Sequence, residues 1–136
     1  MSQTYLLDTN VLLCALIAPQ RLNKDIKTQL CDAENTVYFS AASIWEIAIK
    51  KSLNKLDFNF DAENIHQLAL ETGFTELAVQ SKHTFVISNM LWHHRDPFDR
   101  LLIAQALTLP AYLLTTDNLL NQYSELVKLI ILSKTD

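Results

Sequence analysis

At 136 residues, 49% of them apolar, the chain is long enough to bury the core of one domain, and its single Gly and three Pro exclude low-complexity linkers. Eleven Lys and Arg against fifteen Asp and Glu leave a net charge of −4. That balance excludes a broad basic surface for coating duplex nucleic acid, but not an acidic site that gathers cations. The longest apolar run, residues 11–18, falls well short of the roughly 20 residues that span a bilayer. No basic segment leads into a cleavable apolar one. The expectation is one cytoplasmic domain, 1–136, with no membrane association.

In chain order, short runs rich in β-formers alternate with longer stretches of helical period. Residues 5–7 read as a first strand that delivers Asp8, Thr9 and Asn10 to its carboxyl end, and a helix over 11–17 follows at once. Then come a helix over 23–31, a strand over 37–39 and a helix over 43–52. A helix over 62–72 follows, with Asp61 as N-cap and Gly73 as the C′ residue. Residues 75–77 form a weak strand, 81–90 and 98–109 helices, and 111–114 and 127–132 the last two strands. Such alternation predicts a parallel sheet covered by helices on both faces, with no repeat and no internal boundary. Cys14 and Cys31 fall in helical stretches without CxxC spacing and read as reduced, buried thiols.

In an open parallel sheet, chemistry gathers at the carboxyl ends of the strands. Asp8 and Asp117 each stand just past such an end. Either is a good N-cap on its own, but two strands delivering an Asp to one sheet edge point to a shared site. Glu46 lies in Ser43-Ile44-Trp45-Glu46-Ile47-Ala48-Ile49-Lys50, where apolar neighbours occupy most of the helix. A carboxylate there needs a partner or a metal, and an i,i+4 pair with Lys50 is the alternative. Asp96 precedes Pro97, which suits a first helical turn, so Asp96 reads as an N-cap. Asp99 falls in that first turn, where the dipole favours negative charge. Carboxylates without Cys or His suit Mg²⁺ or Mn²⁺ rather than zinc. Lys50, Lys51 and Lys55 form a small basic patch that reads either as a helix end or as a contact for a phosphate backbone.

Taken in order, Leu7-Asp8-Thr9-Asn10, Glu46 on its helix, Asp99 with Ala104 and Ala106 after it, and Thr115-Thr116-Asp117 resemble the four acidic motifs of the PIN-domain family. The likeness is strongest to the VapC-like toxins of bacterial toxin–antitoxin pairs and covers nearly the whole chain. It implies a doubly wound α/β domain with a parallel sheet of four to five strands and helices on both faces. It further implies an Mg²⁺-dependent endoribonuclease, with Mn²⁺ able to substitute, that cleaves single-stranded RNA. A homodimer inhibited by a cognate antitoxin protein is implied as well. Asp8, Glu46, Asp99 and Asp117 carry over as metal ligands or orienters of the attacking water, and Asn10 and Thr115 as supporting polar residues. Asp96 is an additional acid that either caps its helix or joins the site. His93 and His94 are loop residues or RNA contacts.

Other readings meet specific obstacles. A phosphatase of the haloacid-dehalogenase kind needs a second Asp where Asn10 stands, and a receiver domain needs paired acids and a late Lys. Phosphate-binding and dinucleotide-binding loops fail because Gly73 is the only glycine. A catalytically inactive PIN-like module that binds RNA or protein is the non-enzyme alternative. It gives no reason to keep four mutually repelling carboxylates.

Overall fold

The computed structural model describes residues 2–54, 58–90 and 96–134. Five strands form one parallel sheet in the order β3-β2-β1-β4-β5. They are β1 (Thr4–Leu7), β2 (Thr36–Ser40), β3 (Thr75–Leu77), β4 (Tyr112–Thr115) and β5 (Val127–Leu129). The α-helices among the described residues are α1 (Thr9–Ile17), α2 (Lys24–Cys31), α3 (Ala41–Ser52), α4 (Ala62–Thr72), α5 (Ser81–Ile87) and α6 (Pro97–Thr108).

The centre of the sheet follows from its sequence. In β1, successive side chains point to opposite faces, and both faces are apolar. Leu7, with Phe39 and Leu114, packs against Val11 and Leu12 of α1, Ile47 of α3 and Ile65 and Ala69 of α4. Leu6, with Leu113, packs on the other face against Leu102, Ile103 and Ala106 of α6. Leu6 and Leu7 are fully buried, each contributing about 1.5–3 kcal/mol relative to an exposed position. β1 pairs with β2 through Leu7↔Phe39 and with β4 through Leu7↔Leu114. The chain builds outward from β1 to β2 and β3, then crosses to β4 and β5. The strand order therefore reverses beside β1, and a crevice opens at the carboxyl ends of β1 and β4.

Caps set the helix limits. Ser40 accepts from the Ala42 N–H and starts α3 two residues before the expected 43. Asp61 caps α4, and Gly73 closes it at φ 100, as read from the sequence. Further expectations shift. Helix α5 stops at Ile87 rather than 90, where the backbone tightens to i→i+3 bonds from the Asn89 N–H to Val86 O and from the Met90 N–H to Ile87 O, each 3.1 Å. Strand β5 ends at Leu129 rather than 132, because its one neighbour β4 has already ended at Thr115. Cys14 is buried as expected, but Cys31, at the last turn of α2, is exposed; both are free thiols. Lys55, His93 and His94 lie outside the described residues. No helix among the described residues is long and apolar enough to cross a membrane.

Candidate active site

The carboxyl ends of β1 and β4 are tied together by one hydroxyl. Asp8 is the N-cap of α1, its Oδ1 accepting from the Val11 N–H at 2.8 Å. Its Oδ2 accepts from Thr115 Oγ1 at 2.6 Å, across 107 residues of sequence. The same Thr115 oxygen accepts from the Asp117 N–H at 3.0 Å. Asp117 Oδ1 in turn accepts from the Leu119 N–H at 2.9 Å, ahead of a 3₁₀ turn at Leu120–Gln122. Asp8 both caps its helix and faces the pocket, whereas Asp117 closes a local turn and faces the same pocket without capping the 3₁₀ segment after it. Asn10 extends the link by donating from Nδ2 to Thr116 Oγ1 at 3.2 Å.

Glu46 reaches the crevice from α3. Thr9 Oγ1 donates to Glu46 Oε1 at 2.7 Å and lies 2.9 Å from Ser43 Oγ. A hydroxyl has one proton to give, so Ser43 donates to Thr9 in return. Glu46 Oε2 pairs with Lys50 Nζ at 3.0 Å, so the i,i+4 pair weighed against a site role does form. Asp96 caps α6 through Oδ1, accepting from Phe98 N–H at 2.9 Å and Asp99 N–H at 3.4 Å. Asp99 sits in the first turn of that helix.

These pieces surround an open pocket of about 220 Å³, lined by Asp8, Thr9, Asn10, Leu13, Glu46, Lys50, Phe58, Asp96, Asp99, Thr116 and Asp117. All four acids read from the motifs face one space, and Asp96 joins them while capping its helix. Thr115 is fully buried behind the pocket wall. Of the basic patch, Lys50 turns into the pocket, whereas Lys51 bonds Asn59 outside it. Sequence reasoning missed Thr9 and Phe58. Thr9 lay inside the first motif, and its role became visible only once α1 was seen to dock on α3.

Burial is the main force on the Asp8 carboxyl, which is 5% exposed. Desolvation pushes its pKa up from the ordinary carboxylate value, and the negative charge of Glu46 adds to this. Hydrogen bonds from Thr115, Val11 and Thr116 pull the other way without cancelling it.

The donor set is all oxygen, which fits a hard divalent cation such as Mg²⁺ or Mn²⁺. Among the described residues, no three His, Cys, Asp or Glu side chains are grouped so as to hold a metal ion as they stand. The Lys50–Glu46 pair and the hydrogen bonds on Asp8 hold these groups in other partnerships. The residues therefore suit the cation chemically, and taking it up requires side-chain rearrangement.

By fold, the chain is similar to a chain of VapBC2 from Rickettsia felis, determined bound to a DNA fragment from their promoter. The TM-score is 0.68 at 16% identity, over 96% of this chain and 100% of that one. It is similar also to a chain of VapBC-1 from nontypeable Haemophilus influenzae, with a TM-score of 0.57 at 17% identity, over 85% of this chain and 87% of that one. No curated protein matches the sequence significantly. The PIN domain family profile aligns with residues 5–126, from within β1 to the residue before β5, and so takes in every acid around the pocket. The chain belongs to the PIN-domain family.

Proposed function

We propose that the chain is a divalent-cation-dependent endoribonuclease of single-stranded RNA, acting in the cytoplasm as the toxin of a toxin–antitoxin pair. Family membership supports a nuclease. The observation that carries the reading furthest is the Thr115 hydroxyl, which bonds Asp8 and the Asp117 backbone behind the wall of a pocket that these two acids share with Glu46, Asp96 and Asp99. Asp8, Asp99 and Asp117, with Glu46 once freed, are the residues that would hold Mg²⁺ or Mn²⁺. When bound, such a cation offsets the charge that develops on a phosphodiester and makes water a better nucleophile. Thr115 fixes the Asp8 carboxylate, while Asn10 and Thr116 present polar groups at the pocket wall. Among the described residues no His lines the pocket, and Lys50 is bound to Glu46. This makes attack by water the expected route rather than attack by the ribose hydroxyl.

Incubation of unstructured and structured RNAs with Mg²⁺, Mn²⁺ or EDTA, followed by mapping of the cut ends, tests the proposal. Cleavage that depends on the metal and leaves a 5′-phosphate and a 3′-hydroxyl is expected. Ends bearing 2′,3′-cyclic phosphate, or full activity in EDTA, would overturn it. Asp8→Asn and Asp99→Asn should each remove most activity with the circular dichroism spectrum unchanged.

The fold shared with the VapBC chains supports a cognate antitoxin, and a homodimer is proposed with it. Such a partner is expected to place an Arg among the pocket carboxylates, since guanidinium pairs with them bidentately. If an inhibitory partner binds equally well after Asp99→Asn and Asp117→Asn, that mode of contact is wrong.

A further inference from the structure

Among the described residues, Lys50 is the cation that lines the acidic pocket, and its position bears on how a metal enters. Glu46 has both carboxylate oxygens engaged, Oε1 by the Thr9 hydroxyl at 2.7 Å and Oε2 by Lys50 Nζ at 3.0 Å. An i,i+4 pair on an open helix surface is exchangeable with water. Here the Glu46 side chain is only 14% exposed, that of Lys50 is 42% exposed, and four further carboxylates line the same pocket. The Lys50 Nζ also lies 5.6 Å from the centroid of the Phe58 ring. Oε1 is held from within by Thr9, so a divalent cation entering through the pocket meets Glu46 at Oε2, the oxygen Lys50 occupies. Two cations on one oxygen repel, so Lys50 has to yield.

Yielding does not remove Lys50 from the pocket. Its Cα is fixed in α3, and its four-carbon stem keeps the ammonium within reach of any anion presented at the mouth. We propose that Lys50 is a resident counter-cation that releases Glu46 to the divalent cation and then holds a phosphate oxygen of the bound strand. The second half of this inference rests on the nuclease reading above. Lys50 is thus a substrate-contacting residue in the loaded state and an internal competitor of the metal in the unloaded one. Lys51, the next residue, bonds Asn59 outside the pocket and provides the control for general loss of charge.

Two measurements on the full chain test this. In the first, Mn²⁺ is titrated calorimetrically into the native protein, Lys50→Met and Lys51→Met, without RNA. Loss of the competitor should tighten Mn²⁺ binding by Lys50→Met roughly tenfold, while Lys51→Met stays near native. Equal or weaker binding by Lys50→Met, or equal tightening by Lys51→Met, overturns the competition. The second measures affinity for an unstructured RNA against salt concentration, with Ca²⁺ in place of Mg²⁺. The slope of log affinity on log salt should become shallower by about 0.7 in Lys50→Met, the loss of one phosphate contact on a single strand. An unchanged slope overturns the phosphate contact. If the native protein binds no RNA at all, the nuclease reading and the phosphate contact fall together, and the Mn²⁺ titration alone decides the competition.

Discussion

Removing the Thr115 hydroxyl takes one hydrogen bond from Asp8 and leaves the Asp117 N–H without its acceptor, at a residue that is itself fully buried. Thr115→Val keeps the shape and should cost about 1–3 kcal/mol in denaturant unfolding, whereas Thr115→Ser should retain most stability. Equal stability of Val and Ser variants would show that the hydroxyl does not bridge the two strands. Asp8 gives a prediction with a pH signature. Its folded pKa is raised above the ordinary 3.8, so the metal-free fold favours the protonated group. The associated stability is complete below about pH 3.8 and is lost as pH rises through the raised value. Asp8→Asn carries no such penalty and remains a competent N-cap. In EDTA its stability relative to native should therefore climb as pH is raised from 4 to 7. A difference that is flat or falls with pH would show that the carboxyl is not penalised. At this scale the sequence was informative wherever a residue's role follows from strand position: Asp8 and Asp117 stand just past strand ends, and Thr115 two residues before Asp117. Lys50 was legible as the i,i+4 partner of Glu46, but Thr9 was opaque, because its role depends on which face of α3 turns toward α1.

Helix α5 docks on α6 through a polar contact that hydropathy alone cannot reveal. His83 is 2% exposed, and its Nδ1 accepts from the Gln80 N–H at 3.0 Å and lies 3.4 Å from Gln105 Nε2. Burial holds its pKa below the ordinary 6.5, and the neighbouring charge of Lys82 pushes the same way. A depressed base stabilises the fold fully above 6.5 and loses that contribution as pH falls through its folded value. Side-chain NMR should find His83 still neutral when exposed histidines have titrated. Titration at 6.5 or above would remove the buried contact. Gly73 offers a second test. A Cβ there would meet nothing within 4 Å, yet φ is +100, so Gly73→Ala is strained by conformation alone and should lose about 1 kcal/mol in thermal unfolding. Native-like stability would mean that α4 ends differently. The cap at Gly73 and the N-cap at Asp61 were legible because cap chemistry is local. The early ends of α5 and β5 were not, since the first lacks a local stop signal and the second is set by where a neighbouring strand finishes.

Across the molecule, the parallel sheet with helices on both faces was readable from the alternation of short and long apolar segments, and β1 owes its central place to being apolar on both faces. The order of the strands has a consequence for synthesis. β1 is made before the other four strands of this sheet yet lies at its middle, and one of its two neighbours is β4, made fourth. Asp8 is made 107 residues before the hydroxyl that fixes it. A nascent chain therefore has no assembled pocket until Asp117 has been added. Before that, β1 can pair only with β2, and such long-range closure is slow to form. Translation arrested near residue 110 should yield a chain that is open to protease and neither takes up Mn²⁺ nor cuts RNA. Protection after arrest at that point would mean that the amino-terminal half folds alone. The acids that line the pocket are thereby kept apart until most of the fold has been made.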